Sequence, residues 1–123
     1  MNAYAFPGIK YEYRIHVKNL EAQEIIKKIC AYFQENIEDV QKLRQARYVY
    51  VRDWCMFFLT TNTALSLKEI GSYFHNRDHS TVIHAREKIK NNLKDERYTF
   101  HKRYMRDYGE LLILLENEEN KNN

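Results

Sequence analysis

The sequence predicts a mostly α-helical bundle with a short β segment at its N-terminus, and three observations carry that prediction. Three Gly and one Pro in 123 residues are too few turn formers for a fold of many short strands. From Leu20 onward apolar residues recur at helical spacing, whereas Tyr11, Tyr13, Ile15 and Val17 alternate strictly with Lys10, Glu12, Arg14, His16 and Lys18. Residues 65–89 read as a short helix, a three-residue corner and a second helix. A chain of this length forms one domain able to bury roughly two-thirds of its unfolded surface.

The elements follow in order. Residues 1–19 form the extended segment, and a lone strand must pair its edges. Its expected partner is Ala3–Phe6 across Pro7-Gly8, or the same strand of a second copy, which makes a homodimer. Ala22, Ile25, Ile26, Ile29 and Phe33 then form the apolar stripe of a first helix, with Glu24, Lys27 and Lys28 off it. Asn36 caps a short helix from Ile37 to about Leu43. Tyr48-Val-Tyr-Val51 taken alone fits a strand. The run continues to Thr61 without a turn signal, which predicts a central helix, apolar nearly all round and closed by Asn62 and Thr63. Ser66 and Glu69 have capping-box spacing ahead of Ile70, and Gly71 lets a neighbour approach closely. In the second helix of the pair, Val82, Ala85, Ile89 and Leu93 share one narrow arc, with Ser80, His84, Glu87 and Asn91 opposite. Phe100, Tyr104, Tyr108, Leu111, Leu112 and Leu115 make the stripe of a closing helix; residues 117–123 are a polar tail. The reading is one helical domain over 20–116, with no linker and no internal repeat.

Charge narrows the function classes. Four glutamates against one lysine give residues 110–123 a net charge of −3, so the overall +3 leaves +6 on the remainder. Lys42, Arg44, Arg47 and Arg52 lie close together within that basic body, which suits a polyanionic partner. The longest apolar run, Trp54–Leu59, is far short of the roughly 20 residues of a membrane helix, and no basic-then-apolar leader opens the chain. The expectation is a cytoplasmic protein without membrane contact. Cys30 and Cys55 have no metal spacing and read as buried reduced thiols. His75, His79 and His84 match no zinc pattern, the pairs Glu38-Asp39 and Glu118-Glu119 are poorly placed for acid–base work, and no Gly-x-x-x-x-Gly-Lys-Ser/Thr loop occurs. The chain reads as no enzyme, with no cofactor and no metal.

The chemistry concentrates where the second helix of the pair begins. In a helix-turn-helix that end meets DNA base edges. Asp78 can cap the helix or accept from a cytosine amino group; His79 can meet a base edge or a thymine methyl. Ser80 and Thr81 can bond bases or phosphates, and a helix N-terminus itself favours phosphate.

The string Arg77-Asp-His-Ser-Thr-Val-Ile-His-Ala85, after Ser66-Leu-Lys-Glu-Ile-Gly71, closely resembles the signature of the C-terminal DNA-binding domain of the bacterial replication initiator DnaA. The family reads Gly-Arg-Asp-His-Thr-Thr-Val-Leu-His-Ala after a Ser-Leu-x-x-Ile-Gly helix. The run Tyr32–Arg44 is similar to the opening of that domain, so the resemblance covers about residues 21–116. It implies that Asp78, His79, Ser80 and Thr81 contact bases and phosphates in the major groove. It further implies an arginine entering the minor groove from the loop before the central helix and another at that helix's start for the major groove. Counting back without gaps places these on Arg44 and Arg52. The chain departs from the pattern at Asp53, where Gln is common, and at Lys68, where the family has Pro. His75 and Asn76 stand for two Gly, and Glu87 for a basic residue. Lys68 offers a phosphate contact in place of an apolar one.

The resemblance thus implies binding of double-stranded DNA at a DnaA-box-like site of the TTATCCACA type, in replication initiation or its regulation. Without the family's ATPase module, these residues are expected neither to hydrolyse ATP nor to melt DNA unaided. Competition with a full-length initiator for boxes, initiation on a mobile element and transcriptional regulation all fit. The rival reading is a protein–protein interaction module retaining the fold, in which the aromatic richness marks a contact surface.

Overall fold

A computed structural model describes residues 22–121 of the chain, with side chains to residue 116. The described residues form six helices: α1 (Ala22–Tyr32), α2 (Ile37–Lys42), α3 (Ala46–Asn62), α4 (Leu67–Ser72), α5 (His79–Lys94) and α6 (His101–Lys121). The mostly helical expectation holds across these residues. The expected β segment, and any dimer built through it, lie outside the described residues.

Helix α3 runs through the middle and packs against α1, α2, α4 and, most extensively, α5; α6 closes the bundle against α1 and α5. A helix surrounded on all sides needs apolar residues all round, and α3 has them, with Trp54, Cys55, Phe57 and Leu59 fully buried. The Trp54 ring packs against Tyr50, Phe57, Phe58, Tyr104 and Tyr108 at centroid distances of 5.7–6.5 Å, within the range for favourable aromatic pairs. Among the described residues, eight of the thirteen aromatic side chains are buried in the core. Cys30 of α1 and Cys55 of α3 are both buried and free, and burial pushes the Cys55 thiol well up.

Local chemistry sets the helix ends. Asn36 caps α2 by accepting from the Asp39 amide. Ser66 and Glu69 form the reciprocal capping box at α4, each side chain accepting the other's amide at 3.1 and 2.8 Å. Two features differ from the sequence reading. The closing helix begins at His101 and continues to Lys121, so Phe100 precedes it and is 57% exposed, while Tyr104, Tyr108, Leu111 and Leu115 carry the buried stripe. The corner between α4 and α5 spans residues 73–78, longer than the three residues expected, because the chain folds back over Gly71.

Candidate nucleic-acid interface

That fold-back shapes the helix-turn-helix. The Gly71 carbonyl accepts from both the Phe74 and Arg77 amides, at 3.0 and 3.1 Å. A Cβ on Gly71 would lie 2.0 Å from the Arg77 carbonyl oxygen, so the corner fits only against a bare backbone. His75 and Asn76 take left-handed conformations at φ 58° and 55°, the conformation glycine would adopt most easily. Phe74 and Ile70 are fully buried and fix the corner to the core.

Helix α5 starts at His79, with Asp78 as its N-cap. Asp78 Oδ1 accepts from the Thr81 amide at 3.0 Å and from the Thr81 and Ser80 hydroxyls at 3.0 and 2.9 Å. These bonds, the backbone one first, hold the Asp78 carboxyl below its ordinary range. Asp78, His79, Ser80 and Thr81 are all exposed, while Val82, Ala85, Ile89 and Leu93 turn to the core as their spacing predicts. Lys68 of α4 is exposed too and shares a shallow recess with Asn76, Arg77, Asp78 and His79. Five of the seven expected site residues thus gather at the motif.

The basic loop after α2 is tied to this corner. Gln41 Nε2 donates to the Tyr73 carbonyl at 2.8 Å, and Arg77 Nη2 donates to the Lys42 carbonyl at 3.3 Å. Arg44, two residues on, is exposed and has no carboxylate partner among the described residues.

Arg52, expected at the major groove, is largely buried. It is 5% exposed, and its Nη1 donates to the carbonyls of Val40 and Leu43 at 2.6 and 2.9 Å. These are carbonyls at the C-terminal end of α2, which lack helical partners of their own. Burial lowers the Arg52 pKa, and nearby Arg77 adds to the effect. Asp53, where the family pattern commonly has Gln, is buried as well. It is 6% exposed, with Oδ2 3.3 Å from Lys88 Nζ, close enough for an ion pair but not aligned as a hydrogen bond. Glu87 is engaged by Arg86 and Lys90 at 3.1 and 3.8 Å.

Sequence reasoning gave no role to Arg77 as a tie between corner and basic loop, nor to Lys88 as the bridge from α5 to α3. Arg77 stood in the signature string, but nothing in the sequence marks which carbonyl a guanidinium reaches. Among the described residues no three His, Cys, Asp or Glu side chains cluster as metal ligands, and no helix is long and apolar enough to cross a membrane. A family model described as "Bacterial dnaA protein helix-turn-helix" matches residues 22–89, from the start of α1 well into α5.

Proposed function

The chain belongs to the bacterial DnaA helix-turn-helix family, a DNA-binding family of replication initiation, and on that footing we propose that it reads a DnaA-box-like site on double-stranded DNA. The observation that carries the reading is the exposed polar start of α5, where Asp78, His79, Ser80 and Thr81 stand clear of the core beside a basic loop pinned to the same corner. On this reading α5 enters the major groove, with His79 and Thr81 nearest the bases. Asp78 and Ser80 hold the helix start and can exchange their internal bond for one to DNA. Lys68 meets a phosphate. Arg44 reaches the adjacent minor groove. Arg52 serves indirectly, by fixing the Leu43 carbonyl and with it the departure of the Arg44 loop.

These residues carry no phosphate-binding loop, so the proposed activity is DNA binding without ATP hydrolysis, in the cytoplasm on the nucleoid. A full-length initiator competing for the same boxes is the proposed functional counterpart. For the interaction-module alternative, the eight aromatic rings buried in the core are not free to form a contact surface.

The test is fluorescence anisotropy of a labelled box duplex against a scrambled duplex at two salt concentrations. Preference for the box, with affinity falling steeply as salt rises, is the expected result. Equal binding to both duplexes would remove the proposed specificity, and absence of binding to either would overturn the DNA-binding assignment of these residues.

A further inference from the structure

Beside the basic loop, on the side formed by the start of α3, the middle of α5 and the approach to α6, lies an open groove of about 650 Å³. That volume is within the roughly 300–1,000 Å³ of small-molecule sites. Four cations line it, Arg44, Arg47, Lys88 and Arg103, with no carboxylate among the lining residues. Glu35 engages Arg47 and Asp53 engages Lys88 from behind. Arg44 and Arg103 have no carboxylate partner among the described residues. Arg103 is held in place by the Tyr50 ring, with its guanidinium carbon 3.9 Å from the ring centroid. The interior of the groove is apolar, built from Ala46, Val49 and the rings of Tyr50 and Tyr104. At its edge stands Phe100, the most exposed large apolar side chain among the described residues at 57%.

We infer that this groove binds an unstacked nucleotide of single-stranded nucleic acid, the base against Phe100 and the phosphates on Arg44 and Arg103. A duplex backbone offers phosphates and sugars, which gain little from an apolar floor or an exposed ring. A single strand offers both partners at once: a base face for the ring and phosphates for the guanidinium groups. An acidic peptide with an aromatic anchor would match the same charges. The groove is continuous through Arg44 with the proposed duplex face, and that continuity favours a nucleic-acid strand. The inference rests on the proposed nucleic-acid reading and adds to it a second, stacking subsite, suited to a duplex whose end or neighbouring segment is unpaired.

The experiment measures anisotropy of a labelled oligodeoxythymidine and, separately, of the flush-ended box duplex, for the wild type, Phe100→Ala, Phe100→Trp and Arg103→Ala. Phe100 is exposed, and a thermal melt verifies that its variants remain folded. The wild type is expected to bind the oligodeoxythymidine, with Phe100→Ala weakening it roughly tenfold, as loss of one stacked base implies. Phe100→Trp retains that binding, Arg103→Ala weakens it, and duplex affinity changes less than about twofold in the two Phe100 variants, since phosphate contacts dominate it. An abasic oligonucleotide should compete poorly. Duplex binding with no oligodeoxythymidine binding, or with oligodeoxythymidine binding indifferent to Phe100, would overturn the stacking subsite while leaving the proposed function intact. Capture of an acidic phenylalanine-containing peptide in preference to oligodeoxythymidine would overturn it as well. Loss of duplex and single-strand binding in the wild type alike would overturn both.

Discussion

In the middle of α3 two charges are turned inward: Arg52 holds the carbonyls of Val40 and Leu43, and the buried Asp53 meets the Lys88 ammonium. At the start of α5 the polar side chains stand exposed, and among the described residues the Ser80 and Thr81 hydroxyls bond to Asp78. Both regions occupy positions where the family pattern expects DNA contact. The difference is that α2 packs on α3, and the carbonyls of Val40 and Leu43 at its end take their donor from Arg52 of α3. Among the described residues nothing covers the start of α5, where Asp78 to Thr81 are exposed. A register matched to a family therefore fixes which residue stands where, while the packing above each helix decides whether that residue faces solvent or serves the fold.

Arg52→Ala should break the comparison most visibly. Removing a buried guanidinium leaves two carbonyls without their donor, a loss of about 3 kcal/mol in unfolding free energy by chemical denaturation. Arg44→Ala, its exposed counterpart, should leave stability unchanged and weaken binding chiefly at sites with an A/T-rich minor groove. If Arg52→Ala instead kept full stability and lost affinity, Arg52 would be a groove residue and the inward reading of α3 would be wrong.

Gly71→Ala comes next. In an exposed helix interior this change would stabilise by about 1 kcal/mol through helix propensity. Here the new methyl meets the Arg77 carbonyl oxygen at 2.0 Å, so the corner must open, and a net loss of roughly 1–3 kcal/mol is expected, together with weaker duplex binding. A stabilised variant with normal binding would show that the corner has slack. His79→Ala should lower box affinity about tenfold, in line with loss of one base contact, without moving the melting temperature. An equal drop in melting temperature would make His79 a structural residue and erase its distinction from Arg52.

The parts of this architecture legible in the sequence are those governed by short-range rules. The core arc of α5, Val82 to Leu93, follows from spacing alone, and the Ser66–Glu69 capping box from side-chain reach. The exposed start of α5 was legible because Asp78 to Thr81 are polar and precede that arc, in a string that resembles the family signature. Arg52 and Asp53 were not legible, since whether a charge is buried depends on which helix end lies over it, a contact between distant segments. Phe100 failed for a related reason: it continues the apolar spacing of α6 but falls one residue before the helix begins, so its phase no longer points inward.

The two aspartates allow the finest test, because the same regions push their carboxyl groups in opposite directions. Burial raises the Asp53 pKa, against the pull of Lys88 and Arg52. Its ionised form is therefore disfavoured by folding at neutral pH, and that penalty is relieved as pH falls through the raised value. The Thr81 amide and the two hydroxyls lower the Asp78 pKa, so its contribution is present above the ordinary carboxylate range and is lost as pH falls through the lowered value. Asn can occupy either position and still accept at an N-cap, so it removes the charge alone. Melting temperatures from neutral to acid pH should show the wild type gaining on Asp53→Asn as pH falls, and losing ground to Asp78→Asn at the acid end. Both effects are small, the second more so because Asp78 is open to solvent. Differences of the same sign for the two substitutions would mean that Asp53 is governed by its ion pair and not by burial, and α3 would then treat its charges much as the surface of α5 does.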